Sequence, residues 1–190
     1  MTMDTYGILL RGINVGGKNK VSMAALRECL EELGFAEVST YIASGNVILR
    51  SDKGADEVQA RIEKVLPERF DLDDELVKVL ALDVGRFQSV VDDKPAGFGE
   101  HPDTYHSDAI FLMGIDPEQA LAVFAPREGV DEVWPGGDVI YSQRLSAQRT
   151  KSKLNKIMSS PLYKSMTIRS WSTTVKLLAL LNDVHASKEP

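Results

Sequence analysis

A ten-residue segment near the N-terminus combines positive charge with glycine and contains no acidic residue. It reads Arg11-Gly12-Ile13-Asn14-Val15-Gly16-Gly17-Lys18-Asn19-Lys20 and joins an apolar stretch to a stretch of helical periodicity. Glycines allow the peptide N–H groups of a loop to turn toward one point, and a following helix adds the positive end of its dipole. The segment therefore predicts a binding site for an anion, with a purely structural glycine turn as the alternative.

The spacing from Gly12 to Lys18 matches a phosphate-binding P-loop up to its lysine. The next residue is Asn19, which lacks the hydroxyl group that binds magnesium in that motif. The signal for a helix start comes only at Ser22, four residues after the lysine. We therefore expect an anion-binding loop and not the loop of a nucleoside triphosphatase.

Apolar periodicity divides the first half of the chain into elements in the order β-α-β-β-α-β. Ser22 is expected to cap the first helix and Gly34 to end it, and the second helix is expected to close near Pro67. The predicted elements are strand 6–13, helix 23–33, strands 38–42 and 47–50, helix 55–66 and strand 76–82.

The same order recurs in the second half after a linker rich in proline, glycine and charge. Its predicted elements are strand 109–113, a helix opened by Asp116-Pro117, two strands around 135–138, a short helix at 154–158, strand 166–169 and helix 175–181 capped by Ser172. We predict an α+β protein, a tandem of two ferredoxin-like units (split βαβ units, or α/β plaits) with antiparallel sheets. The predicted division is residues 1–91 with a short helix at 84–91, linker 92–102, and residues 103–190.

Topology places a second polar segment beside residues 11–20, which we call the glycine loop. In a split βαβ unit the first two strands are parallel, so the loop after the first strand and the hairpin after the second lie at the same end of the sheet. That hairpin carries Ser44, Gly45 and Asn46. The predicted ligand-binding set is Arg11, Gly12, Asn14, Gly16, Gly17, Lys18, Asn19, Lys20, Ser44, Gly45 and Asn46.

Positive charge is concentrated in one stretch of an otherwise acidic chain. Residues 1–138 contain 26 acidic and 13 basic side chains, whereas residues 139–182 contain eight basic and no acidic ones. Such asymmetry is typical of a surface for an anionic partner, and internal pairing with the acidic part is the alternative. We predict a secondary basic patch of Arg144, Lys151, Lys153, Arg169 and Trp171, in which Trp171 is either a core aromatic residue or a base-stacking platform.

Other reactive side chains are not expected to form a site. Cys29 is the single cysteine, and its position on the apolar side of a helix indicates a buried thiol. His101, Asp103 and His106 lie around a linker and are expected to be solvated, so no metal and no cofactor is predicted. No apolar run reaches the roughly eighteen residues of a membrane span and no secretory signal precedes the first strand, which favours a cytoplasmic protein without a membrane partner.

Three sequence signatures resemble a known family. Residues 9–21 resemble the hallmark of a bacterial family catalogued as domain of unknown function 1697, residues 41–47 its second signature, and residues 167–173 with Lys176-Leu177 its C-terminal one. Ser152-Lys153-Leu154 is similar to a further short element of that family. The resemblance covers nearly the whole chain. It implies a duplicated ferredoxin-like fold and no established activity.

Two classes of function follow from the charged loop. The first is a binding module for a small anionic ligand that carries phosphate or carboxylate, with single-stranded RNA as a less favoured ligand because the first strands offer few aromatic side chains. The second is an enzyme in which Arg11 or Lys18 stabilises negative charge on a substrate, although no general base is evident. A protein partner with an acidic surface, docked on residues 139–182, is a third possibility.

Overall fold

A computed structural model describes residues 2–74 and 76–187. The first half contains β1 (Asp4–Leu10), α1 (Met23–Glu32), β2 (Ala36–Tyr41), β3 (Asn46–Ser51), α2 (Ala55–Arg69), β4 (Val79–Asp83) and α3 (Val84–Asp92). The second half contains β5 (Tyr105–Leu112), α4 (Pro117–Leu121), β6 (Asp131–Pro135), β7 (Val139–Leu145), β8 (Met166–Ser170) and α5 (Trp171–Ala186). Between β7 and β8 lie three short 3-10 helices, Ser146–Lys151, Leu154–Ser159 and Pro161–Ser165, which we call the 3-10 segment.

The strands form two four-stranded sheets with the same strand order. The first sheet runs β2-β3-β1-β4 and the second runs β6-β7-β5-β8, and every neighbouring pair is antiparallel. In each sheet one strand lies between the two strands that the first helix connects: β3 lies between β1 and β2, and β7 lies between β5 and β6. This insertion is the arrangement of a split βαβ unit. The predicted tandem of two ferredoxin-like units is therefore confirmed.

Contacts group the described residues into two compact units. Unit 1 comprises Met1–Phe87 with Leu177–Pro190, and unit 2 comprises Gln88–Lys176. Within unit 1 the C-terminal helix covers β1, because a Cβ atom added to Gly7 would lie 3.0 Å from Leu181 and 3.0 Å from Phe87. The predicted division at residues 92–102 remains a prediction, and the grouping by contacts differs from it at this helix.

Both faces of the unit 1 sheet are buried. On one face Ile8, Leu10 and Leu49 pack against α1 and α2, whose fully buried residues include Leu30 and Ile62. Each such aliphatic side chain contributes about 2 kcal/mol by leaving water. On the other face the buried side chains are Leu9, Ile48, Leu80 and Leu82. Cys29 is buried on α1 as expected, and this burial raises the pKa of its thiol.

Element ends differ from the predictions where tertiary contacts outweigh local signals. Helix α2 continues through Pro67 to Arg69, and the Phe70 N–H still bonds the carbonyl oxygen of Leu66 at 3.0 Å. One missing helical bond is tolerated there because Leu66 is fully buried. Helix α5 begins at Trp171, and Ser170 Oγ rather than Ser172 accepts the Thr173 N–H at 3.3 Å. The short helix predicted at 154–158 is a 3-10 helix.

The core of unit 2 also has two sides. Ile110, Leu112 and Ile140 pack with Leu154 and Ile157 of the 3-10 segment. On the opposite side an aromatic cluster buries Phe98, Tyr141 and Trp171, whose rings meet edge to face at centroid distances of 5.0 Å for Phe98–Trp171 and 5.2 Å for Phe98–Tyr141. The Tyr141 hydroxyl donates to the carbonyl oxygen of Val90 at 2.6 Å.

This hydroxyl makes the stability of the fold sensitive to alkali. Burial raises the pKa of Tyr141 to about 12, so the neutral, hydrogen-bonded phenol is favoured in the folded state. Its contribution to stability is complete below the unfolded pKa of about 10 and is lost as the pH rises toward the folded value. We expect Tyr141→Phe to cost about 1 kcal/mol at pH 8. That difference should shrink between pH 10 and 11.5 in urea titrations, and a difference independent of pH would contradict the assignment.

Candidate functional site

The glycine loop is built on a tight turn of four residues. Val15 and Lys18 form an antiparallel bridge in which the Lys18 N–H donates to the carbonyl oxygen of Val15 at 3.0 Å. The two central residues, Gly16 and Gly17, have φ of 60° and 78°. A hairpin turn with positive φ at both central positions is the one for which glycine is best suited. The two glycines are therefore required by the backbone of this turn.

Asn14 holds the base of the turn. Its side-chain Nδ2 donates to the carbonyl oxygens of Val21, at 2.9 Å, and Ala43, at 2.7 Å, while its Oδ1 accepts the Val21 N–H at 2.9 Å. Its own φ is 54°, a conformation that asparagine tolerates better than most residues. Both amide donors are thus committed to the backbone, so Asn14 positions the loop and does not present a donor to a ligand.

Asn19 joins the glycine loop to residues 71–74, which precede β4 and which we call the acidic segment. It is 1 % exposed, its Oδ1 accepts the N–H groups of Asp73 and Asp74, and its Nδ2 donates to Gly12 O and to Asp74 Oδ2, the latter at 2.6 Å. Its backbone N–H donates to Asp73 Oδ2 at 2.6 Å. Two carboxylates of the chain itself therefore occupy the donors of Asn19.

The predicted neighbourhood of the loop and the β2–β3 hairpin is confirmed. The Leu10 N–H donates to the carbonyl oxygen of Gly45 at 2.8 Å, and a Cβ atom added to Gly45 would lie 2.8 Å from Ile13. Asn46 is fully buried, and its Nδ2 donates to the Tyr41 carbonyl oxygen and to Ser44 Oγ. These contacts fix the conformation of the hairpin and hold it against Leu10 and Ile13 at the start of the glycine loop.

The cations of the predicted set lie on the outer side of this framework. Lys18 and Lys20 are exposed, and neither ammonium group forms a hydrogen bond or ion pair with any residue in 2–74 or 76–187. Arg11 is half-buried at the end of β1, where its N–H donates to the Lys78 carbonyl oxygen at 2.9 Å. Beside them the side chains of Val15 and Ile42 are 63 % and 50 % exposed. The outer surface of the loop is therefore cationic with an apolar margin.

The secondary basic patch is dispersed. Lys151 and Lys153 are exposed on the 3-10 segment and Arg144 is half-buried on β7. Arg169 is 6 % exposed, its guanidinium donates to Thr167 Oγ1 and to the Ile168 carbonyl oxygen, and burial lowers its pKa to about 10. Trp171 belongs to the aromatic cluster. Arg144 and Ile168 lie on the same face of the sheet, and strand alternation places Arg169 on the opposite face. The five predicted residues therefore do not form one surface.

Sequence reasoning missed a second polar cluster, which lines a cavity in unit 2. Asp108, Ser142 and Arg144 lie on the same face of the sheet as the core residues Ile110 and Ile140. The sequence does indicate this face, because each of these polar residues lies an even number of positions from a core residue of the same strand. The cluster was not predicted because polar residues at the end of a strand usually indicate exposure to solvent.

Metal binding has no support in the described parts of the chain. Within residues 2–74 and 76–187 no three histidine, cysteine, aspartate or glutamate side chains come close enough together to hold a metal ion. His106 contacts Asp108, whereas His101 and Asp103 are exposed in the turn before β5. None of the helices described for this chain has the length and apolar character required for a bilayer span.

The fold and the loop geometry define a protein with two ferredoxin-like units and a hydrogen-bonded, cationic glycine loop on the first. The chain belongs to the family described as protein of unknown function (DUF1697), which matches residues 3–141. That range contains the glycine loop and the β2–β3 hairpin. The resemblance to this family is therefore confirmed, and the match contains the first two signatures, whereas residues 152–154 and 167–177 lie outside the matched range.

A solved structure shares this architecture over nearly the full chain. It is described as the structure of conserved bacterial protein SP0830 from Streptococcus pneumoniae, with 29 % sequence identity and a TM-score of 0.81. The alignment covers 95 % of this chain and 99 % of that chain. A search of curated proteins gave no match. The comparisons thus establish the family and the fold, and the activity has to be argued from the site.

Proposed function

We propose that the glycine loop of unit 1 binds a small anionic ligand that carries phosphate or carboxylate. Lys18 and Lys20 supply the charge, with Arg11 at the edge, and the N–H groups of Gly16 and Gly17 supply directed donors. The observation that carries the proposal is that the hydrogen bonds holding the loop backbone, among the described residues, do not involve the ammonium groups of Lys18 and Lys20. Asparagine amides and aspartate carboxylates hold the backbone, while the lysines stay in solvent.

The donors at the turn suit an anion oxygen. Gly16 and Gly17 are exposed, and among the described residues their N–H groups bond no acceptor. Two neighbouring N–H groups beside ammonium groups can share one phosphate or carboxylate through charge-assisted bonds, which are shorter and stronger than neutral ones. A loop already fixed in this shape loses little conformational entropy when the ligand binds.

The carboxylates of Asp73 and Asp74 define which side of the loop is used. They accept the donors of Asn19 on the inner side, where a second anion would meet like charge. The ligand therefore approaches the turn from the side of Gly16, Gly17 and Lys18. Within residues 2–74 and 76–187 these two carboxylates are the acidic groups that hydrogen-bond to the loop, and both bond Asn19. The enzyme alternative therefore has no assigned general base among them.

Single-stranded RNA is less well supported as the ligand. Domains with this fold that bind RNA stack bases on aromatic side chains of an open sheet face. In unit 1 the face that carries Leu9, Ile48 and Leu82 is buried. RNA would have to bind through the loop alone, which offers charge but no stacking platform.

A cytoplasmic location stays a prediction that rests on the sequence.

The proposal can be tested by following the amide NMR signals of Gly16 and Gly17 during titration. The probes are inorganic pyrophosphate, citrate and octauridylate, added to the full-length chain. We expect pyrophosphate or citrate to shift both glycine signals at saturating levels. The double variant Lys18→Gln/Lys20→Gln should weaken this binding about tenfold, since two charge-assisted contacts of modest strength are lost.

The double variant Lys64→Gln/Lys156→Gln is the matched control, because both residues are exposed lysines away from the loop, Lys64 on α2 and Lys156 in the 3-10 segment. It removes the same charge and should leave the titration unchanged. Equal weakening by the control variant would mean that only general electrostatic attraction is measured. Glycine signals that do not move with either small anion would overturn the proposal, and shifts confined to octauridylate would replace the small ligand with RNA.

A further inference from the structure

Unit 2 contains a cavity where unit 1 has a long helix. In unit 1 the connection before the last strand is the 15-residue helix α2, whose side chains fill the space over the sheet. In unit 2 the same connection is the 3-10 segment, which buries Leu154 and Ile157 but leaves a space of about 70 Å³ against the sheet. At about 15 Å³ for each water-sized group, the space holds roughly five such groups.

A carboxylate and a guanidinium group converge on this cavity from neighbouring strands. Asp108 on β5 pairs directly with Ser142 on β7, so Asp108 and Arg144 are diagonal neighbours on one face of the sheet. Such neighbours have Cβ atoms about 7 Å apart. The side chain of Asp108 is 16 % exposed. The cavity therefore holds one negative and one positive group within the span of a small molecule.

His106 fixes the carboxylate at the rim. Its Nε2 lies 3.1 Å from Oδ1 and 3.0 Å from Oδ2 of Asp108, and its side chain is 44 % exposed. Burial raises the pKa of Asp108, and the neighbouring His106 and Arg144 act against this rise. A buried carboxylate of this kind gains free energy when a cationic ligand group approaches it.

Apolar side chains form much of the remaining wall of the cavity, together with the neutral polar residues Ser142, Asn155 and Tyr163. Ile110 and Ile157 lie at its base, and both belong to the core. Met158 and Ile168 line its outer part with 61 % and 38 % of their surface exposed. Exposed apolar side chains beside a half-buried charged pair are the pattern of a pocket with an aliphatic subsite and a polar head site. An aliphatic group would cover part of this exposed surface.

We propose that this cavity binds a small zwitterion of the aliphatic α-amino acid class. The ligand ammonium group pairs with Asp108 and its carboxylate with Arg144. This head group has about as many non-hydrogen atoms as the cavity has room for water-sized groups, so the aliphatic side chain lies at the open side, along Met158 and Ile168. A simple carboxylic acid would place its charge against Asp108 with no gain, and a simple amine would leave Arg144 without a partner. Nucleotides are excluded by size. This proposal rests on unit 2 alone and is independent of the anion site in unit 1.

Binding can be measured by calorimetry on the full-length chain with L-leucine, L-valine and L-methionine as probes. N-acetyl-L-leucine lacks the ammonium group and isopentylamine lacks the carboxylate, so each isolates one half of the zwitterion. We expect leucine, valine or methionine to bind and both analogues to bind at least tenfold more weakly. These comparisons use the unaltered protein and do not depend on any variant folding.

Variants locate the site. Asp108→Asn and Arg144→Gln should each weaken the binding of the best amino acid at least tenfold. Glu132→Gln on β6 and Arg149→Gln in the 3-10 segment change the same charges at exposed positions and should leave it unchanged. The absence of binding by all three amino acids at about 10 mM, where even a millimolar site is filled, would overturn the proposal. Equal binding of N-acetyl-L-leucine or isopentylamine would also overturn it.

Discussion

Gly45→Ala should destabilise unit 1 by about 3 kcal/mol, the sum of a backbone strain near 1 kcal/mol and an overpacking cost near 2 kcal/mol. Gly45 has φ of 85°, a conformation that alanine adopts only with strain. An added Cβ atom would lie 2.8 Å from Ile13 Cδ1 and 2.9 Å from Leu10 Cβ. Both neighbours are fully buried, so neither can move away without disturbing the core.

Gly34→Ala separates the two contributions. Gly34 has φ of 89° at the end of α1, and nothing lies within 4 Å of a Cβ atom built there. The two glycines thus share the backbone conformation and differ only in packing. We expect Gly34→Ala to cost about 1 kcal/mol and Gly45→Ala to lower the melting temperature by at least about 5 °C. Equal losses in urea unfolding of the two variants would show that packing under the glycine loop is looser than the distances imply.

Asn19→Ala should cost about 3 kcal/mol, because it removes four side-chain hydrogen bonds from a nearly buried position. The N–H groups of Asp73 and Asp74 would lose their acceptor, and the Asp74 carboxylate would lose a donor. The φ of 47° adds strain for alanine. The loss should appear as a lower midpoint in urea unfolding.

Asn14→Ala is the control for this prediction. Asn14 has a similar φ of 54° and also bonds the backbone through its amide, but its side chain is exposed. Water can replace most of its hydrogen bonds, so we expect a loss of about 1 kcal/mol. If the two variants lost the same stability, Asn19 would not be the residue that joins the loop to the acidic segment. Asn19→Gly, which relieves the backbone strain, should recover part of the loss.

The contrast between these variants bears on the anion site. The glycine loop is held by asparagine amides and aspartate carboxylates, whereas the ammonium groups of Lys18 and Lys20 form no hydrogen bond or ion pair among the described residues. Substitution of Lys18 or Lys20 should therefore change binding and leave stability nearly unchanged. Substitution of Asn19 should change stability first. Measuring stability and ligand binding for the Asn19 and the lysine variants distinguishes the residues that hold the loop conformation from those that bind the anion.

The order of the elements follows from the sequence alone. Apolar periodicity predicts the strands and most of the helices, and the parallel first two strands of a split βαβ unit predict that the glycine loop lies beside Gly45. Contacts of Gly45 with Leu10 and Ile13 confirm this. These features could be predicted because they depend on local pattern and on general rules of chain topology.

The roles of the polar side chains depend on how the folded chain packs. Asn14, Asn19 and Lys18 look equivalent in the sequence, yet Asn19 turns inward to partners 54 and 55 residues away, and Lys18 turns outward. The cavity beside Asp108 exists because the chain before β8 forms 3-10 helices rather than a long helix. A hydrogen-bond partner distant in the chain, or a gap left by a missing helix, has no local signature, because it arises only when separate segments pack together.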